Sequence, residues 1–269
     1  MKYPPLLIIL FIIFMLSCQK PNPKAYYKPL VLNQFKTNDS IIGSVLIYDL
    51  NNNTYHSNNF NWAKIGRIPA STYKIPHSLI ALELGIVDSN YLLKWSGEKR
   101  AFKIWQQDLT LKQAFHYSCV PCYQEIARKV GEIRMNSYVD KFNYGNMDIH
   151  DENIDDFWLI GESKISQFQQ LDFLKQLYLS QLPISKRTEI IFKQMFIAKQ
   201  TDDYILRAKT GLTMRNDSYN GWYVGYIETS DNVYFFATNI SPKDKYNKSF
   251  NNKRKNITIN AFKQLGIML

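Results

Sequence analysis

The sequence predicts an α+β domain: an antiparallel sheet formed by N- and C-terminal strands and packed with helices, plus a helical subdomain inserted between the two sets of strands. Three observations carry this. Residues 41–49 are an apolar, β-branched run, and Asn51-Asn52-Asn53 turns it into Thr54-Tyr55, the pattern of a hairpin. Residues 221–228 and 232–239 are two further aromatic and β-branched runs, separated by Thr229-Ser230-Asp231, again a hairpin. Between these pairs the period changes, because Ile75, Leu79, Leu82 and Ile86 recur at helical intervals, with Gly85 as the stop. Residues 109–131 and 166–179 also predict helices. The second is opened by Ser166, with Gln169 three residues on as a capping box. A last helix is expected over 256–265.

With 269 residues, 45% of them hydrophobic and only 21% charged, the chain can bury a substantial core, which excludes a disordered tail protein. Three cysteines are too few for a disulfide-rich miniprotein, and the four histidines lack ligand spacing, so no metal is expected. A formal charge of +10 favours anionic partners without choosing among acidic lipid, nucleic acid and small carboxylates. Lys2 followed by the unbroken apolar run 6–16 has the form of a signal-peptide core, too short to span a bilayer. It ends in Ser17-Cys18, which resembles a bacterial lipoprotein processing site. The expected organisation is a signal peptide over 1–17, a polar tether over 18–28 behind a lipidated Cys18, and one domain over 29–269. The expected location is the periplasm or cell envelope, with membrane attachment through Cys18 and a monomer or homodimer as the assembly.

The chemistry starts at Ser71-Thr72-Tyr73-Lys74. Residues three apart on a first helical turn share a face, so the Ser71 hydroxyl and the Lys74 amine can meet, and the helix start offers N–H groups to an oxyanion. Alone this spacing arises often by chance. Its company changes that: Ser118-Cys119-Val120, Tyr144-Gly145-Asn146 and Lys209-Thr210-Gly211 follow in order, the last placed ahead of the first C-terminal strand. A serine-lysine nucleophile, an intermediate serine and a late Lys-Thr-Gly form the signature of penicillin-recognising acyl transferases.

The sequence resembles one branch in particular, the class D β-lactamases or oxacillinases. Pro69-Ala70-Ser71-Thr72-Tyr73-Lys74-Ile75-Pro76 is similar to the nucleophile box, with Tyr73 where phenylalanine is usual. Asp108-Leu109-Thr110-Leu111, Ser118-Cys119-Val120-Pro121, Gln124-Glu125-Ile126-Ala127-Arg128, Phe157-Trp158-Leu159, Lys164-Ile165-Ser166 and Gly221-Trp222-Tyr223-Val224-Gly225-Tyr226 resemble further blocks. The resemblance implies a β-lactamase/transpeptidase-like domain that hydrolyses β-lactams through a Ser71 acyl-enzyme, conferring antibiotic resistance. It implies Lys74 as an N6-carboxylysine general base, so that carbon dioxide or bicarbonate is needed although no other cofactor is. Ser118 and Lys209 would relay a proton. Thr210, Gly211, Leu212 and Trp105 would contact substrate, and Arg254, ahead of the last helix, would bind its carboxylate. Trp158, Val120 and Leu159 would support the carbamate, and Tyr144 and Asn146 would shape the site loop.

Two features favour plainer expectations. Cys119 and Cys122 have the spacing of a redox or metal pair, yet without a second pair packing is the expectation. The aromatic run 222–226 alternates as a half-buried strand does, so it is expected in the core and no nucleic acid is expected as a partner. Two alternatives stand beside the hydrolase: a penicillin-binding sensor-type domain that acylates without turnover, and a scaffold lipoprotein without activity.

Overall fold

The computed structural model describes residues 24–35, 40–215, 218–243 and 250–268. The expected signal peptide, Cys18 and most of the tether lie outside the described residues. Strand β1 (Tyr26–Pro29) takes up the end of that expected tether, correcting the boundary at 28. Strands β2 (Ile41–Asp49) and β3 (Thr54–Ser57) form the expected first hairpin, pairing Leu46 with Ser57 and Asp49 with Thr54. Helix α1 (Phe60–Lys64) follows, capped by the Asn59 side chain on Trp62 N–H.

The helical region begins with a 3-10 turn over Ala70–Tyr73 that runs into α2 (Lys74–Glu83). The helix expected over 109–131 is instead two. A small sheet pairs β4 (Leu92–Leu93) with β5 (Leu109–Thr110), then α3 (Leu111–His116) and α4 (Val120–Val130) follow. The physical reason lies in the joint: Pro121 has no N–H to continue a helix from above, and Ser118 turns the chain with a left-handed φ of 53°. Helices α5 (Glu132–Phe142), α6 (Gln167–Tyr178) and α7 (Lys186–Met195) complete the region. Of these only α6 was expected.

The chain returns to the sheet through β6 (Ile197–Gln200), β7 (Tyr204–Arg215), β8 (Ser218–Thr229) and β9 (Val233–Pro242), and ends in α8 (Phe250–Gln264). Lys209-Thr210-Gly211 therefore lies within strand β7, not ahead of the first C-terminal strand, and Arg254 lies on α8, not ahead of it. The strand order is β1-β3-β2-β9-β8-β7-β6. N- and C-terminal strands meet where β2 pairs antiparallel with β9, Ile41 with Pro242 through Asp49 with Tyr234. One pairing departs from an all-antiparallel sheet: β1 runs parallel to β3, held by Tyr27 stacked on Tyr55 at 5.3 Å and by Leu30 N–H donating to Ser57 O.

Alternation along β2 sends Val45 and Ile47 to one face and Leu46 and Tyr48 to the other. Ile257, Ala261 and Phe262 of α8 cover the first face. Leu171 and Leu174 of α6 lie in the core on the second, which continues into the helical region around α2, where Leu79, Ile80 and Leu82 are fully buried. A helix packed on both sides by protein holds its first turn still, and that turn carries Lys74.

Helix α6 shows the expected capping box, with Gln169 N–H donating to Ser166 Oγ and Ser166 N–H to Gln169 Oε1. Ser166→Ala should cost about 1 kcal/mol of unfolding free energy, and a denaturation midpoint equal to that of the parent would show that the cap contributes nothing.

Candidate active site

Three segments converge on one cleft of about 330 Å³: the turn bearing Ser71, the α3–α4 joint bearing Ser118, and strand β7. Ser71, Ser118, Val120, Leu159, Thr210, Leu212, Trp105 and Arg254, all expected in the site, line it. Sequence reasoning missed Phe102, Ile104 and Tyr117, which line it too, since exposed apolar side chains in a loop carry no periodic signal.

The turn is held from several sides. Ala70, just before Ser71, has a left-handed φ of 51°, a conformation that costs a residue with a Cβ roughly 1–2 kcal/mol. Asn220 Nδ2 and Trp222 Nε1 of β8 both donate to Ile68 O, at 2.8 and 2.9 Å. Thr72 Oγ1 donates to Pro69 O at 2.7 Å and accepts from Gln170 Nε2 of α6 at 2.9 Å. Tyr144 donates in turn to Gln170 Oε1 and so buttresses the turn from behind, Asn146 bridges to Lys164, and neither lines the cleft.

Strand β7 approaches that turn closely. A Cβ on Gly211 would stand 3.0 Å from Pro69 O and 3.2 Å from Thr72 N, so any larger residue would push strand and turn apart by a few tenths of an ångström. The closeness sets the Ser71 and Leu212 backbones side by side along the cleft. Arg254 donates from Nη1 to Gly211 O, pinning the strand from α8.

Lys74 is fully buried, and its Nζ lies 3.5 Å from Ser71 Oγ, at the outer edge of hydrogen-bond reach. Its surroundings are rings: Nζ sits 4.7 Å from the centre of Tyr123 and 5.9 Å from that of Trp158. It makes no ion pair among the described residues. Burial lowers its pKa to about 7, so near neutrality a large share of the amine is unprotonated. Lys209 Nζ donates to Ser118 Oγ and to Thr210 O. Burial, then the charges of Lys74, Arg254 and Lys255, holds the Lys209 pKa well below that of an ordinary lysine. The site thus contains two hydroxyls, each beside an amine that gives up its proton readily.

Around Lys74 the expected Trp158 is joined by polar groups, on Tyr73 and His77, whose place there was not legible in advance. Trp158 Nε1, Tyr73 Oη and both ring nitrogens of His77 are buried with no hydrogen-bond partner among the described residues. A buried polar atom left so costs about 1–3 kcal/mol. The one signal for His77 was its place three residues beyond Lys74, on the same helical face.

Cys119 and Cys122 correct the packing expectation: they are joined by a disulfide across the first turn of α4, with Cα atoms 5.4 Å apart. Both are buried in the core as well. The reason is local geometry, since a helical cap brings positions three apart within bonding distance even without a second pair.

A family model described as the penicillin-binding protein transpeptidase domain matches residues 39–263. The chain is 45% identical over 199 residues to β-lactamase OXA-48 of Klebsiella pneumoniae, covering 74% of this chain and 75% of that one. A crystal structure of a class D β-lactamase from Sebaldella termitidis superposes with a TM-score of 0.85 at 39% identity, over 91% of this chain and all of that one.

The chain belongs to the class D β-lactamases.

A class D likeness does not separate it from every receptor of the same fold. The C-terminal domain of the Bacillus licheniformis BlaR penicillin-receptor superposes with a TM-score of 0.84 at 26% identity, over 92% of this chain. The Lys74 amine, within reach of Ser71 Oγ, is able to take the hydroxyl proton. The geometry makes that measurable without any lactam. Because Lys74 loses its proton near pH 7, labelling of Ser71 by a serine-directed phosphonate should rise about tenfold per pH unit below that point and level off above it. A rate flat across this range would show that Lys74 does not take the Ser71 proton.

Proposed function

We propose that this class D β-lactamase hydrolyses β-lactam antibiotics through an acyl-enzyme on Ser71 and thereby confers resistance to them. The observation that carries the reading is a Ser71 that lines the cleft with its Oγ 3.5 Å from the fully buried Lys74 amine, which makes no ion pair among the described residues. Ser71 Oγ attacks the lactam carbonyl as its proton passes to the Lys74 side chain. The N–H groups of Ser71 and Leu212 receive the oxyanion, at the point where Gly211 brings strand and turn together. Ser118 hands its hydroxyl proton to the departing lactam nitrogen, and Lys209, already hydrogen-bonded to Ser118 Oγ, replaces it. Arg254 and Thr210 bind the substrate carboxylate, and Trp105 lines the same cleft.

The residues around Lys74 fit carbon dioxide held there as a carbamate, an N6-carboxylysine. The amine is neutral enough to add it, Trp158 Nε1 offers an unused donor, and Val120 and Leu159 close the apolar wall. When bound, that group supplies an anionic base in place of an amine. Water then releases the acyl group, which separates this reading from a sensor that stops at the acyl-enzyme. The likeness to the BlaR domain keeps the sensor as the second reading.

The reading extends to the envelope. The apolar run 6–16 and Ser17-Cys18 support export by a signal peptide, with a lipid on Cys18 as the anchor.

A chromogenic cephalosporin should be turned over many times per enzyme, whereas one stoichiometric burst, even with added bicarbonate, would establish the sensor. Lys74→Ala should lower the acylation rate by about 10²–10⁴-fold and hardly deacylate, a result that near-normal turnover would overturn. Trp158→Ala should lose activity that bicarbonate partly restores; a loss indifferent to bicarbonate would assign the indole another task.

A further inference from the structure

His77 is fully buried, three residues along the helix from Lys74 and four from Tyr73, and so lies between them on one face of α2. Its ring meets Tyr123 edge-on at 5.2 Å and Trp158 edge-on at 5.4 Å, the two rings that also flank Lys74 Nζ. Neither of its nitrogens has a partner among the described residues, and Trp158 Nε1 in the same aromatic box has none. An apolar side chain would fill this space without stranding polar atoms, so packing alone gives no reason for an imidazole here. Burial and the nearby Lys74 charge lower the His77 pKa to about 3, which keeps the ring neutral with one N–H to donate. The box therefore holds two N–H groups without partners among the described residues, on Trp158 and His77, in the neighbourhood of the Lys74 amine. Two such donors suit an anion with several acceptor positions.

We infer that His77 is a positioning residue for carboxylated Lys74, its imidazole N–H holding the carboxylate formed when the amine takes up dissolved carbon dioxide. This rests on the carbamate reading above. In that uptake the Nζ lone pair forms an N–C bond, one C–O π pair moves onto oxygen, and one amine proton leaves to water. Two oxygens carry about four acceptor positions, more than the Trp158 indole can fill alone. The His77 N–H fills another, and the ring's second nitrogen is left to accept from a hydroxyl or a water, which fixes the tautomer.

The test is ¹³C NMR of the whole protein titrated with ¹³C-bicarbonate at mildly alkaline pH, on the parent, His77→Leu and His77→Gln. The parent should show a carbamate signal. His77→Leu should need roughly ten- to hundredfold more bicarbonate to reach half its amplitude, the loss of one hydrogen bond to a charged acceptor. His77→Gln keeps an N–H donor and should stay near the parent. A His77→Leu titration matching the parent, whatever its melting temperature, overturns the inference. If His77→Leu does not fold, ¹⁵N shifts of the parent imidazole decide: one ring nitrogen should move as bicarbonate is added, and a ring that does not respond overturns the inference. A parent with no carbamate signal at any bicarbonate concentration removes the underlying reading instead, a result distinct from failure of His77 alone.

Discussion

A single buried lysine, with no ion pair among the described residues, is the constraint on which the site depends. In an exposed position Lys74 would be a cation and Ser71 an ordinary alcohol. Enclosed by α2, Tyr123 and Trp158, the amine is half released from its proton near neutrality. The enclosure has a thermodynamic side. The folded pKa lies below the ordinary value of 10.5, so the unfolded chain binds more protons between the two, and this residue's penalty on folding is full below about pH 7 and relieved as pH rises toward 10.5. The rest of the fold must carry that penalty, and the core beneath both faces of the sheet and around α2 is where it does so.

Two of the five described non-glycine residues with left-handed φ stand at the same cleft. Ala70 and Ser118, two side-chain-bearing residues with left-handed φ, stand at the nucleophile turn and at the α3–α4 joint. Such conformations persist where the surroundings leave no alternative. At Ala70 the surroundings are β8, through Asn220 and Trp222, and α6, through Gln170. At Ser118 they are the Lys209 amine on the hydroxyl, the Cys119 N–H donating to Ala114 O, and the disulfide one residue on. Distant elements thus fix two hydroxyls relative to one strand, which comes close to the turn at Gly211.

Both hairpins and the α6 cap were legible in the sequence because each is dictated within a few residues: alternation, a turn of asparagines, a serine three before a glutamine. Strand β7 was expected only as an edge at Lys209-Thr210-Gly211, from the resemblance; its full length was hidden because Arg207 and Lys209 interrupt its apolar pattern, and only the tertiary structure buries both. The first turns of α8, rich in asparagine and lysine, resemble a loop until Phe250, Arg254 and Ile257 are seen on one buried side. The break at Ser118 is a property of a single torsion, which composition does not report. The segments of the cleft were named from motif order, yet Phe102 and Ile104 on its rim, and the unpartnered imidazole behind Lys74, follow from packing between segments far apart in the chain.

The sheet order places β1 at one margin and β7 five strand positions away, with β3, β2, β9 and β8 between them. At the usual spacing that is roughly 24 Å of sideways separation. Whatever is joined ahead of Tyr26, whether a native leader, a purification handle or a fused reporter, enters the domain on the flank remote from drug entry. The N-terminus is therefore the natural place to tether this protein to a bead or sensor chip while leaving the mouth of the cleft open to solution.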